Sequence, residues 1–169
     1  CRLVSETIGC DPKQVLVAST GVIGQLLDIA PFETGVPALH DKICAQATDE
    51  GLRLSGGHDA ARAIMTTDTH PKEYAVSYEG AGALAGHAIT VGGMCKGSGM
   101  IMPNMATMIA IISTDAPVTE AALHEVLLGV VKKTFNKVTV DSDTSTNDTC
   151  IAIATGKAAP DVPAIEPGT

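Results

Sequence analysis

The chain has 169 residues, 45% of them hydrophobic, which is enough for one domain with an interior of its own and argues against disorder. Eleven basic against nineteen acidic residues leave a formal charge of −8, which opposes attraction to nucleic-acid phosphates and to anionic membrane surfaces. Aromatic residues make up only 2%, so the core has to come from Ala, Val, Ile, Leu and Met, with glycine allowing close backbone approach.

Residues 14–19 are a short apolar and β-branched run after Asp11-Pro12, ending at Ser19-Thr20-Gly21, which predicts a strand and then a tight turn. Over residues 34–54, Val36, Leu39, Ile43 and Ala47 recur at helical spacing. The pattern predicts an amphipathic helix stopped by Ser55-Gly56-Gly57, with a second short helix over residues 59–65. Thr66-Thr67-Asp68-Thr69 closes that helix and leads through Pro71 to an extended segment at 74–77. Residues 79–86, small and flexible, read as a hairpin excursion before a strand at 88–95.

Residues 108–112 form a continuous apolar run of strand length, consistent with burial on both faces. Thr119 followed by Glu120 predicts the N-cap of a helix over 120–134. Leu123, Val126, Leu127, Val130 and Val131 would form its apolar face, with Lys132 and Lys133 at its C-terminal end. Residues 138–140 read as another strand and 149–154 as a short apolar element of either type. Between them, 141–148 reads as a loop whose side chains bond to nearby backbone. Irregular alternation of strands and helices with glycine-rich hairpins argues for a layered α+β domain, one partial domain over 1–169, without internal repeat or linker.

Cys1, Cys10, Cys44, Cys95 and Cys150 are odd in number and show neither CxxC pairs nor zinc-finger spacing, so they read as reduced core thiols of a cytosolic protein. No segment approaches the ~18 uninterrupted apolar residues of a membrane span and no charged-then-apolar leader is seen, so a soluble protein is expected. Asn147-Asp148-Thr149 matches a glycosylation sequon, read here as turn chemistry. The start at Cys1 and the loop-like 160–169 suggest cuts in something longer.

Cys95-Lys96-Gly97-Ser98-Gly99 is not GxxxxGK[ST], no GxGxxG links a strand to a helix, and HExxH and the EF-hand pattern are absent. Asp141, Asp143 and Asp148 could gather a cation, but an acidic Ser/Thr turn is more often a self-bonded loop, and no metal is expected. His40, His58, His70, His87 and His124 share no close spacing and read as surface or helix polar residues, and Lys96-Gly97-Ser98-Gly99 lacks the first glycine of a GxSxG elbow.

What remains is the loop from Lys96 to Thr107. Gly97 and Gly99 can take backbone angles closed to other residues and Pro103 fixes one more, so the path into Thr107 can be held in one unusual shape. A hydroxyl at such a junction suits a nucleophile. A threonine opening a β-branched run is also ordinary strand composition, and the residues alone leave both readings open.

Five blocks in order sharpen this. Val17-Ala-Ser-Thr-Gly-Val-Ile-Gly24, Ile64-Met-Thr-Thr-Asp-Thr69, Lys96-Gly-Ser-Gly-Met100, Pro103-Asn-Met-Ala-Thr-Met108 and Phe135-Asn-Lys-Val-Thr-Val-Asp-Ser-Asp-Thr-Ser-Thr-Asn-Asp-Thr149 lie across residues 17–149. Together they resemble the bifunctional glutamate N-acetyltransferase / ornithine acetyltransferase family of arginine biosynthesis, and the chain looks like a central fragment, less than half of a family member. The resemblance implies the self-processing type of α+β fold, helices packed on mixed sheets, in a precursor that cuts itself at an Ala-Thr bond. Here that is Ala106–Thr107, the expected α/β subunit junction.

Thr107 would attack the preceding carbonyl, water would resolve the ester, and the freed α-amine would serve as the base for the hydroxyl beside it. Its reference pKa of ~8 suits that work. In the implied reaction Thr107 takes acetyl from N-acetylornithine, releases ornithine and passes acetyl to glutamate in ping-pong fashion. Thr20 and Gly21 match the oxyanion-hole positions, and Thr66, Lys96 and Thr107 the substrate-binding ones.

The family implies no cofactor, with acetyl-coenzyme A a co-substrate of its bifunctional members. N-acetylornithine and glutamate are the expected small-molecule partners, without nucleic acid or membrane, in the cytoplasm, and the full-length enzyme would be an α/β heterotetramer. The family's other substrate contacts, a glutamate and a C-terminal Asn and Ser/Thr pair, would lie beyond Thr169, so the 169-residue piece alone is expected to be inactive. Two further readings stay open: an amidase or aminopeptidase with the same N-terminal threonine, and a non-catalytic fragment serving as a binding or assembly module.

Overall fold

The computed structural model describes residues 1–22, 24–100 and 108–168, with 52–54 by backbone alone. It divides into two compact units, Cys1–Asp59 and Ala60–Thr169.

In the first unit, α1 (Arg2–Ile8) ends at Gly9, whose left-handed φ of 74° lets its N–H reach the Ser5 carbonyl at 2.8 Å. A 3-10 turn at Pro12–Gln14 follows, capped by Asp11: its carboxylate accepts from the Lys13 N–H, and Gln14 Oε1 accepts from the Asp11 N–H. Gln14 therefore closes a turn, and the described residues from 15 to 22 have no regular structure, which corrects the strand expected at 14–19. β-branched composition makes a strand only where a neighbour offers a ladder, and Leu16 and Val17 stay exposed.

α2 (Ala30–Gln46) starts earlier than its periodicity suggests because Pro31 is well placed in a first turn. After a break at 47–49, α3 (Glu50–Ala63) runs straight through Gly56-Gly57. The expected stop and the separate short helix at 59–65 are thus one helix. Each glycine costs about 1 kcal/mol, and the strong helix formers Ala60, Ala61, Arg62 and Ala63 that follow, with Ala61 fully buried, offset it.

The second unit is organised by a mixed sheet in the order β1-β2-β3-β4. β1 (Lys72–Glu79) and β2 (Ala88–Lys96) form an antiparallel hairpin with Lys72 opposite Cys95 and Glu79 opposite Ala88. Its connection is the predicted glycine-rich excursion. A Cβ on Gly80 would collide with the Leu84 backbone, so the turn needs glycine there.

β3 (Ile109–Thr114) runs antiparallel to β2 with Ile109 opposite Lys96. Gly93 keeps that pair close, since a Cβ there would lie 3.0 Å from the Ile111 carbonyl oxygen. Ile109 and Ala110 are buried, but Ile111 and Ile112 are only half-buried and Ser113 is exposed, so burial on both faces holds only at the start of the strand.

α4 (Glu120–Lys133) is capped as the sequence predicts, with Thr119 Oγ1 accepting from the Ala122 N–H. Val131 is buried and Leu123 and Leu127 half-buried, but Val126 and Val130 of the expected apolar face are exposed and line a cavity of about 340 Å³ with Tyr78, Val91 and Ile112. A 3-10 turn at Phe135–Lys137 comes next, and residues 138–140 are not a strand: Val138 and Val140 are exposed. Residues 149–154 become β4 (Thr149–Ala154), parallel to β3 with Thr149 opposite Ile109.

The unit is thus a helix-and-sheet assembly of α+β class. Leu84, Ile89, Ala116 and Ala159 form its core, with Val118, Ala158, Val162 and Ile165 packed against them. The segment after β4 is tied down by Ala158 N–H to the Asp115 carbonyl and Ile165 N–H to the Pro117 carbonyl, both 2.9 Å.

None of the five cysteines is paired and none is in the core: Cys1 and Cys44 are exposed and the others half-buried, which corrects the core-thiol expectation. No helix among the described residues is long and apolar enough to cross a membrane.

Candidate active site

The turn between α3 and β1 meets the end of β2, and two of the residues singled out from the sequence come together there. Lys96, the last residue of β2, is only 2% exposed and donates from Nζ to Thr66 Oγ1 at 2.9 Å. A buried ammonium is tolerated only where polar groups receive it. Thr66 can do so because the backbone leaves α3 at that point and returns towards the sheet.

Asp68 stands behind this pair. Its side chain is 1% exposed, and one oxygen accepts from the Gly97 N–H at 2.8 Å and from the Lys72 ammonium, while the other accepts from the Thr66 N–H at 3.3 Å. Burial alone would raise the Asp68 carboxyl, but Lys72 and the N–H groups of Gly97 and Thr66 outweigh it and hold it at about 2. One residue on either side, Thr67 and Ser98 share a hydroxyl–hydroxyl bond of 2.6 Å.

The loop 141–148 supplies two more restraints. Asp141 Oδ2 accepts from the Met100 N–H at 2.6 Å, and Asp148 Oδ1 from the Met108 N–H at 2.8 Å. These amides lie on either side of 101–107, so two aspartates of one loop hold the backbone at both flanks. Met100 sits at φ 57° and Ser142 at φ 65°, so the turn around Asp141 carries strain in two non-glycine residues. Asp148 Oδ2 is buried and has no hydrogen-bond partner among the described residues, and burial raises its carboxyl, only partly countered by the Met108 N–H.

Cys95 and Cys150 stand on β2 and β4, each opposite Ala110 of β3. Burial raises both thiols, Cys150 further through Cys95, which leaves them protonated and poor nucleophiles.

Thr20 and Gly21 belong to the first unit, in irregular backbone; Thr20 is half-buried and Gly21 exposed, the Gln25 N–H donates to the Val22 carbonyl, and Gly24 is left-handed at φ 81°. Ala106 and Thr107 lie outside the described residues. Asp68, Asp141 and Asp148 were not singled out as anchors from the sequence, although the Asp68 position, in a polar turn just before a strand, was a usable signal.

The sequence model of the ArgJ family matches residues 1–167. The chain belongs to the ArgJ family. It is 46% identical over 168 residues to the arginine biosynthesis bifunctional protein ArgJ of Symbiobacterium thermophilum, covering 99% of this chain and 38% of that protein. It is also 46% identical over 167 residues to the protein of the same name from Thermosynechococcus vestitus, covering 98% and 36%. A glutamate N-acetyltransferase of Methanocaldococcus jannaschii is 45% identical over 157 residues, 92% of this chain and 36% of its own. The chain thus spans well under half the length of these ArgJ relatives.

Proposed function

We propose that this chain is the central part of an ArgJ-type acetyltransferase, with that family's layered fold, and that it moves acetyl from N-acetylornithine to glutamate through an ester on Thr107. Thr107 becomes the N-terminal residue of a new subunit when the precursor cuts itself at Ala106–Thr107. The observation that carries the reading is the buried Lys96 ammonium on the Thr66 hydroxyl, because it joins two residues 30 apart in sequence that the family resemblance assigns to substrate. A fixed cation beside a hydroxyl suits an amino-acid carboxylate.

Aspartate anchors on Met100 and Met108 support the same reading, since intramolecular attack by a threonine hydroxyl on the preceding carbonyl needs the backbone held in register. Thr20 and Gly21 would supply the oxyanion donors. The raised Cys95 and Cys150 thiols argue against a cysteine alternative.

Expression of the full-length precursor tests this directly. A smaller band beginning Thr107-Met108-Ile109 is expected, with glutamate-dependent release of ornithine from N-acetylornithine, and Thr107→Ala should abolish both. An intact Ala106–Thr107 bond in folded, active protein would overturn the nucleophile. Acetate release without glutamate would favour the amidase reading, and assays with and without acetyl-coenzyme A separate bifunctional from single-function behaviour.

A further inference from the structure

The proposed reaction asks neither proton transfer nor substrate contact of Asp68, yet this carboxylate is nearly sealed from solvent and joins three pieces of chain. It accepts from the Thr66 N–H in its own turn, from Lys72 at the start of β1, and from the Gly97 N–H just past β2. Gly97 is at φ 148°, a conformation that side chains disfavour, so its backbone is free to turn unless something holds it. The bond to Asp68 supplies that hold, one residue from Lys96.

We propose that Asp68 is a positioning residue for the Thr66–Lys96 pair: it clamps the turn bearing Thr66 to the backbone bearing Lys96, so that hydroxyl and ammonium are set against each other before a carboxylate substrate arrives. The substrate half of this inference rests on the function proposed above; the clamp itself does not. Because Thr66 and Lys96 leave different elements, their contact depends on the register between the turn and the strand end, and Asp68 touches the backbone of both. Lys72 supplies the carboxylate's counter-charge from the start of β1, where its backbone pairs with Cys95.

The clamp can be read on the 169-residue chain without any turnover. Under limiting amine-labelling reagent with mass-spectrometric readout, Lys96 should be protected while the helix-end Lys132 and Lys133 react. Asp68→Asn should raise Lys96 labelling at least about tenfold with Lys132 and Lys133 unchanged, whereas Lys72→Gln, which loses the ion pair but keeps both N–H bonds, should leave Lys96 protected. Equal effects of the two variants, or none from Asp68→Asn, would overturn the clamp. Should Asp68→Asn not fold, amide exchange in the unmodified chain decides the matter, since rapid exchange at the Gly97 N–H is incompatible with it.

In the full-length enzyme, Asp68→Asn should still cut at Ala106–Thr107 and should raise the KM for N-acetylornithine about tenfold with kcat within about threefold. In a Lys96→Ala background the same change should add nothing to KM, whereas a general loss of stability would add to it. Unchanged KM in an active enzyme sinks the positioning role alone. An unmodified enzyme without acetyl transfer sinks the proposed function and leaves the labelling result standing.

Discussion

Asp68 and Asp148 are carboxylates of the same unit whose surroundings push them in opposite directions. Asp68, held at about 2 against an ordinary 3.8, is favoured in its charged form by folding. Its contribution is full above pH 3.8 and is lost as the pH falls through about 2, which amounts to about 2 kcal/mol for a side chain so fully buried. Urea unfolding between pH 5 and 2 should show that Asp68→Asn removes roughly this much of the acid dependence. An unaltered slope would mean that the unfolded chain holds Asp68 equally well. For Asp148 the sign reverses: a raised carboxyl disfavours the charged form, so its contribution is best below pH 3.8 and is lost as the pH climbs through the folded value. Asp148→Asn keeps an oxygen for the Met108 N–H and carries no charge, so at pH 7 it should unfold at an equal or higher urea concentration than the unmodified chain. Sequence alone marked neither aspartate as an anchor: the polar turn before β1 shows where Asp68 sits, but the amides that Asp68 and Asp148 hold lie 29 and 40 residues away, beyond any local pattern.

At the level of elements, what could be read in advance was what local chemistry decides. Thr119 caps α4, Lys132 and Lys133 close it, and the small, glycine-rich run at 79–86 marks the connection of the β1-β2 hairpin. Thr119→Ala removes the acceptor for the Ala122 N–H and also the hydroxyl's bonds to the Ile165 carbonyl and Glu166, so it should cost at least about 1 kcal/mol in urea unfolding. The same logic failed where a partner decides. Residues 14–19 and 138–140 have strand composition but pair with no strand among the described residues, and Gly56-Gly57 has breaker composition inside a helix whose later residues carry it. Parallel pairing made 149–154 a strand, and nothing in six apolar-leaning residues could announce that neighbour. The 141–148 loop shows the same division: its internal bonds, such as Asn147 N–H to Ser145 Oγ, were legible as turn chemistry, while its hold on Met100 and Met108 was not. On the self-cutting proposed above, Asp148→Ala should slow cleavage at Ala106–Thr107 in the full-length precursor by about tenfold or more. Cleavage at an unchanged rate, followed by gel densitometry after refolding, would reduce this bond to packing.

Over the whole molecule the question is how much of a catalytic pocket these residues can make. The chain covers 38% of the Symbiobacterium protein, and large apolar side chains stand open in each unit: Leu26 is 95% exposed in the first and Tyr74 79% exposed in the second. β1 is exposed along nearly its whole length, and Tyr74, Val76 and Tyr78 all leave much apolar surface open. Apolar surface of this kind is normally covered by more protein. Two consequences follow for the isolated 169-residue chain. It should associate in a concentration-dependent way by light scattering, and Tyr74→Gln together with Leu26→Gln should reduce that association. It should also fail to transfer acetyl even with the Lys96–Thr66 pair in place, because a cation and a hydroxyl orient one end of a substrate and leave the other unconstrained. Adding the separately expressed remainder of the precursor should restore activity if the missing contacts are only absent and not misfolded. Transfer by the isolated chain, at a rate abolished by Thr107→Ala, would instead show that the reacting centre is complete within these residues.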